Sequence, residues 1–278
     1  MRMIWAAASV MLVWAVAASA ARAAQPLVVA HRGASADAPE NTLAAFRLAW
    51  EQGADGIEGD FRVTADGRVV CIHDKDTQRV SGQTLQVEDT SFADLRMLDV
   101  GFWNGDAWRG ERGPLLEEVL AVVPTGKKLF VEVKTGPEIA APLAAVLTRT
   151  PLANDQLVIM GFDADAVAAC KQRLPHLKCH LLVRYKQRDD GGWSPTAEEV
   201  IAAVRRCGAD GVGSEAKPEY FNTDFIRRLR EAGSEAFHVW TVDDPAVARF
   251  YAQLGAWSIT TNRPGQLRAE LAAATAAE

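Results

Sequence analysis

LVVAHRGASADAPENTLAAFRLAWEQGADGIEGD, residues 27–60, is the stretch that decides the fold. It opens on a short apolar run, Leu27 to Ala30, passes through a turn-rich segment, and continues as an amphipathic stretch from Thr42 to Gln52. A second run from Asp55 to Asp60 follows. Short β-branched runs alternating with segments of helical period are the signature of parallel βα units. Outward from this unit the pattern repeats. Further strands are expected at Lys128 to Lys134, Leu157 to Gly161, Cys179 to Arg184, Gly211 to Ser214, Ala236 to Thr241 and Trp257 to Thr260. Helices are expected at Ile139 to Thr148, Ala164 to Leu174, Thr196 to Cys207, Thr223 to Glu231 and Pro245 to Leu254. Eight strands alternating with helices predict an α/β fold, a (β/α)8 TIM barrel. An open doubly wound sheet is the runner-up, and no glycine-rich phosphate loop follows the first strand to support it.

One stretch breaks the alternation. From about 75 to 115 the chain is polar and turn-rich, with Trp103 and Trp108 among glycines. Loops this long inside a domain are usually functional or carry their own structure. It reads as a small insertion after the second strand, lying over one end of the barrel. The two tryptophans are expected to form its core, with contact to a lipid chain as the other reading.

At the amino terminus, Met3 to Ala21 carries no charge and closes on Ala21-Arg22-Ala23, a small-x-small cleavage pattern. Residues 1–23 read as a signal peptide, which makes the protein exported, periplasmic or secreted, with residues 24–278 as the barrel domain. An uncleaved anchor helix is the alternative, although the alanine content makes a weak span. Without Arg2 and Arg22 the chain carries 28 basic and 36 acidic residues, a formal charge of −8 instead of −6. That balance argues against a nucleic-acid partner, which needs a basic face. No later segment is long and apolar enough to span a membrane. Cys71, Cys170, Cys179 and Cys207 show no metal-binding spacing. Cys71 is expected in the core, and the sequence leaves open a disulfide among the other three.

The chemistry collects at strand ends, where a barrel of this type places its reactive groups. The first strand ends in His31-Arg32-Gly33. The second carries Glu58 and Asp60, two apart and so on one face, and the third ends Glu132-Val133-Lys134. Internal barrel strands have both faces covered, so these charges need a metal, a partner or the open mouth. A structural salt-bridge network is the bland alternative. Asp66-Gly67 is a two-residue hairpin signal that would place Asp60 opposite His73. Three carboxylates, Glu58, Asp60 and Glu132, suit one hard divalent cation, Mg²⁺ or Ca²⁺, better than zinc. His31 and His73 could divide general acid and base work, while Arg32 and Lys134 suit phosphate oxygens. Together these groups favour hydrolysis of a phosphate ester.

The ordered set His31-Arg32-Gly33, Pro39-Glu40-Asn41-Thr42, Glu58-Gly59-Asp60, Thr64-Ala65-Asp66-Gly67, His73-Asp74, Val131-Glu132-Val133-Lys134 and Val239-Trp240-Thr241-Val242 resembles the glycerophosphodiester phosphodiesterase family. The resemblance spans nearly all of the chain after residue 23. It implies a divalent metal on Glu58, Asp60 and Glu132, His31 and His73 as the acid/base pair, Arg32 and Lys134 on the phosphate, and Trp240 walling the alcohol pocket. It also implies hydrolysis of a glycerophosphodiester to glycerol 3-phosphate and an alcohol, or of a lysophospholipid as in some relatives. Two positions depart from the family pattern. Thr261-Asn262-Arg263-Pro264 has Asn where the family often has Asp, and Gly59 replaces an aliphatic residue, which is expected to loosen the backbone. Two other functions remain as alternatives: a glycosidase barrel using a pair of these carboxylates, and a barrel that only binds phosphodiesters or cell-envelope polymers.

Overall fold

All eight expected strands form, each within a few residues of its expected bounds: β1 (Leu27–Ala30), β2 (Gly56–Val63), β3 (Lys128–Val133), β4 (Leu157–Gly161), β5 (Lys178–Val183), β6 (Gly211–Glu215), β7 (Ala236–Trp240) and β8 (Ser258–Thr261). The computed structural model describes residues 25–277, position 235 aside, so the expected signal peptide lies outside the described residues. Every neighbouring pair is parallel, and β1 bonds to both β8 and β2, which closes the barrel. Closure removes the sheet edges that the open-sheet alternative would leave. Among the described residues no helix is long and apolar enough to cross a membrane.

Strand alternation sorts the sequence into two cores. Val29, Phe130, Val158, Met160 and Leu182 point into the barrel, where they pack with the edges of Trp240 and Trp257. Their strand neighbours, among them Val28, Ile57, Val131, Ile159, Val212 and Ile259, face the helical layer. Helix starts are fixed locally: Thr42 accepts a hydrogen bond from Ala45 N, and Thr196 and Glu199 form a reciprocal capping box. Gly59 falls on the outward face. A Cβ there would press to about 3.1 Å of Cys71 Sγ and Phe46 Cζ, so the glycine makes room for its neighbours within an unbroken strand rather than loosening it.

His180 and His238 fill the lower barrel. Both are fully buried, their rings lie 5.2 Å apart, and no ring nitrogen of either has a hydrogen-bond partner. They face β6, where His180 is in register with Gly211 and His238 with Gly213. A Cβ on Gly213 would overlap the His238 ring and Leu182, so the imidazoles occupy volume that this strand leaves empty.

Two local expectations change. The hairpin after β2 pairs Phe61 with Cys71 and Val63 with Val69, which sets Asp60 opposite Ile72 rather than His73. The loop has three residues, Ala65 to Gly67, because Thr64 pairs with Arg68 and Gly67 takes the left-handed φ of +75° that a three-residue turn needs. In the insertion, the core consists of Val70, Val80, Val87, Leu95, Leu98 and Val100, not the tryptophans. Asp99 gathers the amides of Gly101, Phe102 and Gly110 and throws the intervening loop outward. Trp103 is consequently 40% exposed, and Trp108 is half-buried. All four cysteines are buried free thiols.

The histidine pair makes stability acid-sensitive. Burial, with the charge of Lys178 added, pushes His180 down to about 3, and burial next to His180 pushes His238 down as well. A depressed histidine pKa means the unfolded chain binds more protons, so this stability is complete above about pH 6.5 and is lost as pH falls towards the folded value. Urea unfolding should weaken between pH 6.5 and pH 4 with a slope of up to about 1.4 kcal/mol per pH unit per histidine. The His180→Gln variant should show a shallower acid limb; an unchanged limb would remove His180 from this role.

Candidate active site at the mouth of the barrel

The side chains just past the inward rows converge on one cavity of about 90 Å³, lined by His31, Arg32, Glu58, His73, Glu132, Lys134 and Trp240, with Met160, Leu182 and Thr260 below. Seven of the eight site residues expected from sequence thus line one space, and the eighth, Asp60, lies against two of them. Glu58, Asp60 and Glu132 present carboxylate oxygens within 4.8 Å of one another, all buried.

Asp60 is the most heavily held of the three. Arg32 Nε lies 3.1 Å from Oδ2 and Lys134 Nζ 3.1 Å from Oδ1, while Asn41 donates to Oδ2 at 2.8 Å and accepts from Asp60 N at 3.1 Å. Burial would raise this carboxyl, but Lys134, Arg32 and the Asn41 hydrogen bond hold it down at about 2. Lys134 also contacts Glu132 Oε1. Glu132 is nonetheless pushed up to about 7 by burial and by Asp60. Glu58 is likewise raised well above the usual carboxylate range, by burial and both neighbouring carboxylates. Its Oε2 accepts from Arg32 N at 2.8 Å, but its Oε1 has no hydrogen-bond partner. Asp60 Oδ1 lies near Lys134 without hydrogen-bond geometry. Three buried acids share two cations, and Glu58 keeps an oxygen with no hydrogen-bond partner, so the cluster is the donor set that a hard divalent cation fits.

The loops hold these groups in unusual conformations. Arg32 and Asn41 both adopt a φ of +57°, and the Asn41 amide donates to Arg32 O. Left-handed backbone at non-glycine residues is a stored cost that concentrates at working sites. Here it lets Arg32 use both its main-chain N–H and its side chain on the carboxylate cluster. Glu40 accepts from Arg32 Nη1 at 2.9 Å, while Thr42 caps the helix.

Each histidine has one nitrogen fixed. His73 Nδ1 lies 2.7 Å from Asp74 Oδ1, and Arg79 binds both Asp74 and Glu40 at 2.6–2.9 Å. His31 Nδ1 lies 2.8 Å from Asn262 Oδ1. The Asn262 amide nitrogen donates to Asp243 Oδ2 at 2.7 Å, so the oxygen must be the atom facing His31. This places the proton on His31 Nδ1 and leaves Nε2 with a lone pair. The missing acid at 262 is thus supplied one residue further out, by Asp243, which also accepts from Asn262 N and Thr261 Oγ1. Asn41, Arg79 and Asp243 escaped the sequence reading as site residues. Asn41 lay within a quoted motif, whereas only the folded insertion and loop bring Arg79 and Asp243 into place.

A barrel that gathers acids, imidazoles and cations at the carboxyl ends of its strands defines a hydrolase of the phosphoester-cleaving type. The chain belongs to the glycerophosphoryl diester phosphodiesterase family, whose sequence profile matches residues 31–266; its members are phosphoric diester hydrolases. It is 38% identical over 250 residues to a glycerophosphodiester phosphodiesterase of Caldanaerobacter subterraneus subsp. tengcongensis, covering 87% of this chain and 96% of that one. Identity is 35% over 270 residues to a Mycobacterium tuberculosis protein named "Probable glycerophosphodiester phosphodiesterase 1", with 90% and 93% covered. The barrel superposes on an Oleispira antarctica phosphodiesterase, solved with its product sn-glycerol 3-phosphate, at a TM-score of 0.77, 24% identity and coverage of 89% and 97%.

Asp243→Ala releases the Asn262 amide to rotate. In ¹⁵N imidazole spectra, wild-type His31 should be the pure Nδ1–H form and the variant a mixture, with kcat several-fold lower. An unmixed spectrum in the variant would mean that Asp243 does not set the tautomer.

Proposed function

We propose that the protein hydrolyses glycerophosphodiesters to glycerol 3-phosphate and an alcohol, using His31 and His73 as its acid/base pair. The observation that carries this reading is that both histidines have Nδ1 engaged by a neighbour and line the same cavity as the carboxylate cluster, Arg32 and Lys134. A divalent cation held by Glu58, Asp60 and Glu132, Mg²⁺ or Ca²⁺, would supply the charge that polarises the phosphate and acidifies the attacking hydroxyl.

The chain's own residues do the rest. Arg32 and Lys134, now spread over Asp60 and its neighbours, bind the phosphate oxygens and orient the diester. Nε2 of one histidine takes the proton of the attacking hydroxyl, and Nε2 of the other gives a proton to the departing alkoxide. Asp74 and Asn262 keep each ring turned for this exchange. Trp240 walls the alcohol. The same machinery would cleave a lysophospholipid if the chain's mouth admits an acyl tail, so a lysophospholipid belongs in the substrate panel. The apolar stretch of residues 1–23 supports export, which cell fractionation would check.

Glycerol 3-phosphate release should vanish in excess chelator and return with Mg²⁺ or Ca²⁺. Full activity in chelator would overturn the metal assignment. Cation at about one hundred times its Kd should add roughly 2.7 kcal/mol of stability, read as a rise in the unfolding midpoint. His31→Ala and His73→Ala should each lose at least about 10²-fold in kcat. Near-normal turnover in either variant would remove that histidine from acid/base work.

A further inference from the structure

Among the described residues, Arg184 is the one charged residue of the cavity lining that pairs with neither the carboxylate cluster nor the histidines. It directly follows β5, at the same inward parity as Leu182, just as Lys134 follows β3 and Phe162 follows β4. Its guanidinium carbon lies 5.6 Å from the centre of the Phe162 ring and 5.3 Å from that of Trp240. The two rings meet edge to face with centroids 5.3 Å apart. Among the described residues, no carboxylate lies within ion-pair distance of Arg184, although its neighbours Arg32 and Lys134 each have two.

Two aromatic faces at right angles on the rim of a cavity are the arrangement that accepts a quaternary ammonium group. Here that place is already filled by a cation of the protein itself. A second cation brought to the same rings would find them occupied and would meet the Arg184 charge. An anion would meet planar N–H donors held in position by the rings.

The cavity also has a direction. Thr260 lies within β8, is buried, and its hydroxyl has no partner; Trp240 Nε1 is likewise buried without one. The unused Thr260 hydroxyl, deep in the cavity, suits a hydroxyl of the glycerol end, while the Trp240 ring borders the alcohol. Arg184 and Phe162 lie beyond their strand ends, at the rim, where the variable alcohol would sit.

The geometry points to Arg184 as the residue that selects the alcohol: it favours glycerophosphodiesters whose alcohol carries an anionic group and discriminates against those bearing only ammonium or trimethylammonium. This inference rests on the phosphodiesterase reading above and names its substrate class.

Glycerophosphoserine and glycerophosphoethanolamine differ by one carboxylate, so the ratio of their kcat/KM values isolates the effect. Glycerophosphocholine tests rejection of the quaternary cation. The wild type should prefer the serine diester over the ethanolamine diester by about tenfold, and the preference should shrink at high ionic strength because the rim is exposed. Arg184→Gln should bring the ratio near one and raise choline turnover relative to ethanolamine turnover. Arg184→Glu should invert the ratio. Each ratio is taken within one variant, so a general loss of folded enzyme cancels. A wild-type ratio near one, or a ratio that survives Arg184→Gln and Arg184→Glu, would overturn the inference while leaving the phosphodiesterase reading intact. Failure of the wild type to cleave any of the three diesters, with cation present, would overturn both.

Discussion

The ionised carboxylate of Asp60 is the pivot of this molecule. It sits fully buried at the barrel mouth, where a lone charge would be neutralised by proton uptake, and it stays charged because Arg32, Lys134 and Asn41 surround it. Each of those partners comes from a different part of the chain. Arg32 belongs to the loop after β1, Asn41 to the start of the first helix, and Lys134 to the end of β3. Holding one carboxylate therefore fixes three loops at once. It also leaves Glu58 and Glu132 short of positive charge, which is what prepares the cluster for a cation.

Much of this was legible before any fold was known, because a closed parallel barrel turns sequence parity into position. Glu58 and Asp60 two apart, Glu132 and Lys134 two apart, and His31 after Val29 had to share the lumen side of their strands. Burial of both strand faces made a surface reading of those charges untenable. Parity also contained a signal that went unread: Phe162, Arg184 and Asn262 continue the inward rows of their strands in the same way as Lys134.

What the sequence could not supply depends on loops. The hairpin register moved by one because a three-residue turn replaced a two-residue turn, yet His73 still reaches the cavity because it lies past the last paired residue of its strand. Position 262 read as a lost acid, since nothing in the linear order says that Asp243 folds back onto it. The insertion read as a tryptophan-centred unit, but its aliphatic residues were sufficient to pack it. It also reaches the mouth, through Arg79, which bridges the acids that brace Arg32 and His73.

The glycines of β6 leave that strand without side chains on part of its inner face, and His180, His238 and Leu182 lean across to fill the gap. The floor beneath the substrate cavity is therefore made of removable side chains, where most barrels of this kind have interlocked layers from every strand. Depth and chemistry are separable as a result: trimming Leu182 and His238 would excavate the barrel downward along its axis, while the charged groups of the mouth keep their places above. The inner wall of one plain strand thus sets how long a molecule this scaffold could be remade to swallow.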